Sequence, residues 1–125
     1  MGQKHSLAKQ IVLVVEDDPL LRMMAVDMVE DAGFSAIEAG GADEALTILR
    51  ARPDVGVLFT DVDMPGSMDG VQLARIACQT DRQIGILLTS GHHRLEQDTL
   101  PPRSVFFPKP YDMDIVTEVL RKFAA

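Results

Sequence analysis

Cysteine is nearly absent from this chain. Cys78 stands alone, so no intramolecular disulfide can form, which fits a reducing compartment. Positive charge is also scarce. Lys and Arg number 12 against 19 Asp and Glu, a net charge of -7, and this argues against the basic face that a nucleic-acid surface needs. A local basic patch for a protein partner is still compatible with that total. Long apolar runs are missing too: Ile84 to Leu88 is far too short to span a bilayer. Met1 to Gln10 carries Lys4 and Lys9 but no apolar stretch of signal-peptide length. The expectation is a cytoplasmic protein without membrane or direct nucleic-acid contacts. What is present is an ordinary globular mixture, 46% hydrophobic and 25% charged, in 125 residues, which suits one core and one domain.

Residues 1–10 are polar and read as a flexible lead-in, leaving 11–125 as the domain. Ile11 to Val15 is a continuous aliphatic run of the kind buried on both faces of a parallel sheet. Asp18-Pro19 reads as an N-cap followed by proline at the first helical position. Leu21, Met24, Ala25, Met28, Val29 and Ala32 recur with helical period, and Gly33 closes the helix. A second strand is expected over Ser35 to Ala39 and a second helix over Asp43 to Arg50, stopped by Pro53. Val55 to Thr60 reads as strand, Asp61 to Gly70 as loop, Val71 to Cys78 as helix and Ile84 to Thr89 as strand. Between Ser90 and Ser104, Gly91 and Pro101-Pro102 leave room for about two helical turns at most. A fifth strand over Val105 to Phe107 precedes a last helix, capped by Asp112, with Ile115, Val116, Val119, Leu120 and Phe123 on its apolar stripe. The seven methionines read mainly as core filler, with Met64 placed to line the loop after the third strand. Strands alternating with helices imply a parallel sheet covered on both faces.

Ligands of open α/β sheets sit beyond the carboxyl ends of the strands. The residues there are Glu16, Asp17 and Asp18 after the first strand, Asp61 and Asp63 after the third, Thr89 and Ser90 at the fourth, and Lys109 after the fifth. Clustered carboxylates repel one another, and an all-oxygen set of this kind suits Mg²⁺. One carboxylate is then free to act as nucleophile toward a phosphoryl group, with an ammonium and a hydroxyl to pair with its oxygens. Blander roles compete at some positions. Asp18 fits a helix cap better than a metal ligand, His92 and His93 lack a matched third ligand and read as surface residues, and Cys78 reads as an inert helical residue.

The set Val14-Val15-Glu16-Asp17-Asp18-Pro19, Phe59-Thr60-Asp61-Val62-Asp63-Met64-Pro65, Met68-Asp69-Gly70, Leu88-Thr89-Ser90 and Lys109-Pro110-Tyr111 resembles the receiver domain of two-component response regulators, from about Ile11 to about Phe123. The resemblance implies a flavodoxin-like, doubly wound (βα)5 fold with strand order 2-1-3-4-5. It implies that Asp61 is the phospho-acceptor, that Asp17 binds Mg²⁺ directly and Glu16 through water, and that Asp63 contributes its backbone carbonyl. Thr89 matches the switch hydroxyl, Lys109 the family's lysine, and Pro110 follows a peptide that is usually cis. The implied donor is a phosphohistidine on a sensor kinase or histidine phosphotransfer protein, and the implied output is partner binding to a target whose identity the residues do not give. The resemblance thus implies a switch that catalyses its own phosphotransfer and dephosphorylation, not an enzyme with a separate substrate, present as a monomer or a weak phosphorylation-dependent dimer. The chain departs from the family in three places. Phe106 holds the switch position that is often tyrosine, the loop from Pro65 to Gly70 is one residue longer than the commonest form, and the helix between the fourth and fifth strands looks shortened. Met1 fits a stand-alone protein, and the same residues also fit a receiver within a hybrid kinase. A haloacid dehalogenase-like phosphatase using Asp61 and Asp63 is the alternative, but that class places this strand first, and here only about sixty residues follow Asp63. A flavin or nucleotide site would need a phosphate-cradling loop where Glu16-Asp17-Asp18 stands.

Overall fold

A computed structural model describes residues 10–66, 68–79 and 83–124. The expected lead-in, apart from Gln10, lies outside the described residues. The chain runs β1 (Ile11–Val15), α1 (Pro19–Asp31), β2 (Ser35–Ala39), α2 (Ala42–Ala51), β3 (Val55–Asp61), α3 (Gly70–Cys78), β4 (Gly85–Ser90), β5 (Ser104–Pro108) and α4 (Met113–Ala124). All five strands are parallel, in the order β2-β1-β3-β4-β5. This is the expected flavodoxin-like sheet.

Strand alternation divides the core into two layers. Leu13 and Val15 of β1 join Leu58, Ile86 and Leu88 in a cluster roofed by Ala45 and Leu49 of α2 and Leu73, Ala74 and Ala77 of α3. Val12 and Val14 point the other way and join Val57, Phe59 and Leu87 beneath Ala25, Met28 and Val29 of α1 and Val116 and Leu120 of α4. Because successive strand residues face opposite sides, an unbroken aliphatic run such as Ile11–Val15 supplies both layers at once. Local signals set the helix starts. Asp18 Oδ1 accepts from the N–H groups of Leu20 (2.9 Å) and Leu21 (3.2 Å), so it is the cap of α1. Asp69 and Gln72 form a reciprocal capping box on α3, and Asp112 Oδ1 accepts from the N–H of Asp114 at 2.8 Å before α4.

The crossover between β4 and β5, expected to be short of helix, holds one 3-10 turn, Gln97–Thr99, so the sheet is covered by four α-helices among the described residues. Its two apolar anchors, Leu95 and Leu100, both pack on the α2–α3 side of the core. A helix would rotate residues five apart by about 140°, too far to share that contact. The methionines are mostly rim, not filler: Met28 is buried, Met64 and Met68 are half-buried, and Met23, Met24 and Met113 are exposed. Leu21 and Ile115, assigned to apolar stripes, are exposed as well.

Candidate functional site

The sheet reverses its winding at β1, which lies between β2 and β3. Chain from β1 departs to one side and returns on the other, so the loops part there and leave a crevice. Glu16 and Asp17 follow β1 into this crevice, and Asp61 ends β3 beside them. Glu16 and Asp61 are buried, whereas Asp17 is exposed. One carboxylate oxygen from each of the three lies within 4.8 Å of the others. Lys109 Nζ reaches in from the end of β5, 3.0 Å from Asp61 Oδ2 and 3.4 Å from Glu16 Oε1. Its backbone N–H is held by the carbonyl of Ser90 at 2.9 Å, and the Lys109–Pro110 peptide is cis.

The charges respond to this crowding. Burial, with the adjacent Asp61 charge, raises the Glu16 pKa above the ordinary glutamate range despite the Asp18 N–H and the Lys109 ammonium. Burial alone would lower Lys109, but its hydrogen bond and charge contact with Asp61, and then with Glu16, raise it and keep the ammonium protonated. Three carboxylates facing one ammonium remain short of positive charge. An oxygen-only donor set with one exposed carboxylate is compatible with Mg²⁺, which takes few protein ligands and retains water.

Thr89, buried at the end of β4, pairs with Asp61 in the β3–β4 register and lines the same groove. Phe106 is half-buried and packs with the α2–α3 layer, whereas Thr89 lines the groove on the α1 side. Asp63 donates its N–H to Asp61 Oδ1 at 3.1 Å. Its side chain has partners that the sequence did not reveal. Asp63 Oδ2 accepts from Ser90 Oγ (2.7 Å) and from the Gly91 N–H (3.2 Å), and Oδ1 lies 2.6 Å from His93 Nδ1. Burial would raise the Asp63 pKa, but hydrogen bonds from Ser90 and His93, the His93 charge and the Gly91 N–H together lower it. Arg22 was missed as well. Its Nη1 donates to the Glu16 carbonyl at 2.9 Å and its Nε to Glu38 Oε1 at 3.1 Å, tying the loop that carries Glu16 and Asp17 to α1 and β2.

Beside the acids lies a groove of ≈ 420 Å³, floored by Glu16, Asp61 and Lys109. Leu21, Met24 and Met113 line its wall and remain 42%, 49% and 48% exposed.

The family model described as response regulator receiver domain matches residues 12–120. The chain belongs to that family. Among similar proteins, the response regulator receiver protein CpdR of Brucella abortus (strain 2308) is 31% identical over 118 residues, covering 91% of this chain and 97% of CpdR. The nitrogen assimilation regulatory protein NtrX of Azorhizobium caulinodans is 30% identical over 114 residues, covering 86% of this chain. This receiver spans only 25% of NtrX's length. In fold it is similar to a response regulator receiver protein from Sinorhizobium medicae WSM419, with a TM-score of 0.86 at 24% identity, covering 94% of this chain and 95% of that one. The family is one of two-component and phosphorelay signalling. No helix among the described residues is long and apolar enough to cross a membrane.

Proposed function

We propose that this receiver takes a phosphoryl group onto Asp61 from a phosphohistidine on a sensor kinase or histidine phosphotransfer protein. The observation that carries the reading is Asp61 at the winding reversal, with Lys109 Nζ at 3.0 Å and oxygens of Glu16 and Asp17 within 4.8 Å. An Asp61 carboxylate oxygen forms the new bond to phosphorus. The phosphorus–nitrogen bond breaks, and its electron pair stays on the donor imidazole. Lys109 pairs with the charge that builds on the transferred group. Asp17, Glu16, Asp61 and the Asp63 backbone carbonyl are the residues that would hold Mg²⁺, which when bound neutralises phosphoryl oxygens in an otherwise anionic site. Thr89 then turns its hydroxyl to the acquired charge, and Phe106 and the adjoining surface follow as one state gains population. A phosphatase reading gains no support, because the Asp63 carboxylate is engaged with the β4 loop and not poised over Asp61.

The test is intact-mass and peptide mass spectrometry after exposure to acetyl phosphate with and without Mg²⁺. The expected product is one phosphoryl group on Asp61, formed only with the cation. Label on another residue, or none, would remove the reading.

Metal and partner contributions separate by variant. Asp17→Ala removes the exposed carboxylate, so Mg²⁺ affinity should fall at least roughly tenfold, about 1.4 kcal/mol. Calorimetric titration reads this, and identical isotherms for variant and parent would contradict the ligand assignment. The exposed Leu21, Met24 and Met113 suit the apolar helices of a phosphohistidine-bearing partner, and they line the same groove as Asp61. Met24→Asp should therefore slow transfer from such a protein by roughly tenfold or more, far beyond its effect on acetyl phosphate labelling. Equal slowing with both donors would rule out docking there.

A further inference from the structure

Phosphoryl transfer as described makes no use of Ser90, His93 or the carboxylate of Asp63, yet the three are bonded together beside the acceptor. Ser90 Oγ gives its one proton to Asp63 Oδ2 at 2.7 Å and accepts from the N–H groups of His92 (3.1 Å) and His93 (2.8 Å). Its donor and both lone pairs are thereby committed. Ser90 is buried and shapes the turn that leaves β4. His93 is different: its ring is 60% exposed, and its Nδ1 meets Asp63 Oδ1 at 2.6 Å. Asp63 itself touches the acceptor, through the bond from its N–H to Asp61 Oδ1 at 3.1 Å. A carboxylate at this position is well placed to hold a water against a phosphoryl group on Asp61. Here it is turned to the β4 side and occupied by three donors.

We propose that His93 is a positioning residue for hydrolysis of the phosphorylated form: it clamps the Asp63 carboxylate away from the attacking water and so prolongs the phosphorylated state. In that hydrolysis a water oxygen bonds to phosphorus. The bond from phosphorus to the Asp61 oxygen breaks, its electron pair remains on the Asp61 carboxylate, and the water proton passes to phosphate or solvent. Freed from His93, Oδ1 of Asp63 accepts a hydrogen bond from that water and aligns it, while Oδ2 stays with Ser90 and Gly91. The inference rests on Asp61 as the acceptor.

The experiment labels the protein with acetyl phosphate and Mg²⁺, removes the donor and follows loss of the Asp61 label by mass spectrometry. His93→Ala should shorten the half-life roughly threefold to tenfold, a small part of what a fully placed general base supplies. His93→Asn, whose amide nitrogen replaces Nδ1 as a donor, should restore it. In an Asp63→Ala background, which keeps the backbone carbonyl, His93→Ala should have no effect, because the group it positions is gone. An unchanged or longer half-life in His93→Ala, or the same shortening with Ala at 63, overturns the clamp. Parent protein labelled normally on Asp61 but indifferent to His93 loses the clamp alone. Parent protein that takes no label on Asp61 loses the functional reading and the clamp together.

Discussion

Asp61→Asn is expected to abolish phosphorylation by acetyl phosphate or by a cognate phosphohistidine protein, with the fold intact. Asparagine matches aspartate in shape, so the buried volume under the Asp63 N–H, 3.1 Å from Oδ1, stays filled. What disappears is the nucleophilic carboxylate: an amide oxygen does not form a stable acyl phosphate at this position. An amide has a single acceptor oxygen, so with it kept under the Asp63 N–H the bond from Lys109 Nζ at the Oδ2 position is lost, although Glu16 Oε1 at 3.4 Å keeps the ammonium paired. Three carboxylates become two, so repulsion inside the cluster falls. The thermal midpoint of Asp61→Asn without divalent cation should accordingly equal or exceed that of the parent. Phosphorylated yield measured by mass spectrometry decides the chemistry, and a yield equal to the parent's would refute the assignment of Asp61.

The sequence was informative where a residue's role is fixed by its neighbours along the chain. Ile11–Val15 announces a doubly buried strand, Asp18-Pro19 a helix start, and acids directly after two strands a crevice, because strand order and right-handed crossovers carry those ends to one edge. It was silent where the partner comes from elsewhere in space. Arg22 sits at an ordinary helical position, and only the placement of β2 brings Glu38 within 3.1 Å of it. His93 has the composition of a surface residue and is mostly exposed, but the β3–β4 register that pairs Asp61 with Thr89 sets Ser90 and His93 against Asp63. Met24 of α1 has the hydropathy of a core residue, and hydropathy does not distinguish a core from the wall of an open groove. The crossover from 91 to 103, which holds a 3-10 turn but no α-helix, shows the limit from the other side. Its breakers were visible, yet only the packing of Leu95 and Leu100 onto one layer shows how the core is closed without an α-helix.

Gly70→Ala should be the most damaging of the small substitutions, and it joins fold and site in one measurement. Alanine is normally preferred in a helix by about 1 kcal/mol over glycine, so propensity alone predicts a gain at the start of α3. The surroundings reverse that sign. A Cβ at residue 70 would collide with the backbone carbonyl oxygen of Asp61 and lie 2.8 Å from Val62 Cα and 2.9 Å from the Asp61 carbonyl carbon. These are backbone atoms with no rotamer to yield. The Gly70 N–H is also bonded to the Val62 carbonyl at 3.2 Å, and the Asp69–Gln72 capping box fixes the helix end, so the strain must move either α3 or the end of β3. Overpacking of this kind costs roughly 1–3 kcal/mol, a fall of roughly 5–10 °C in thermal midpoint for a domain of this size. Gly91→Ala is the matched control, since its Cβ would meet nothing closer than Lys109 Cβ at 3.9 Å, an ordinary contact. Because the displaced atoms carry the Asp61 side chain, the folded fraction of Gly70→Ala should also accept phosphate more slowly. Misplacement by about 1 Å costs on the order of a hundredfold in a reaction that depends on alignment. A Gly70→Ala protein with the parent's melting temperature and labelling rate would show that α3 does not bear on the back of Asp61.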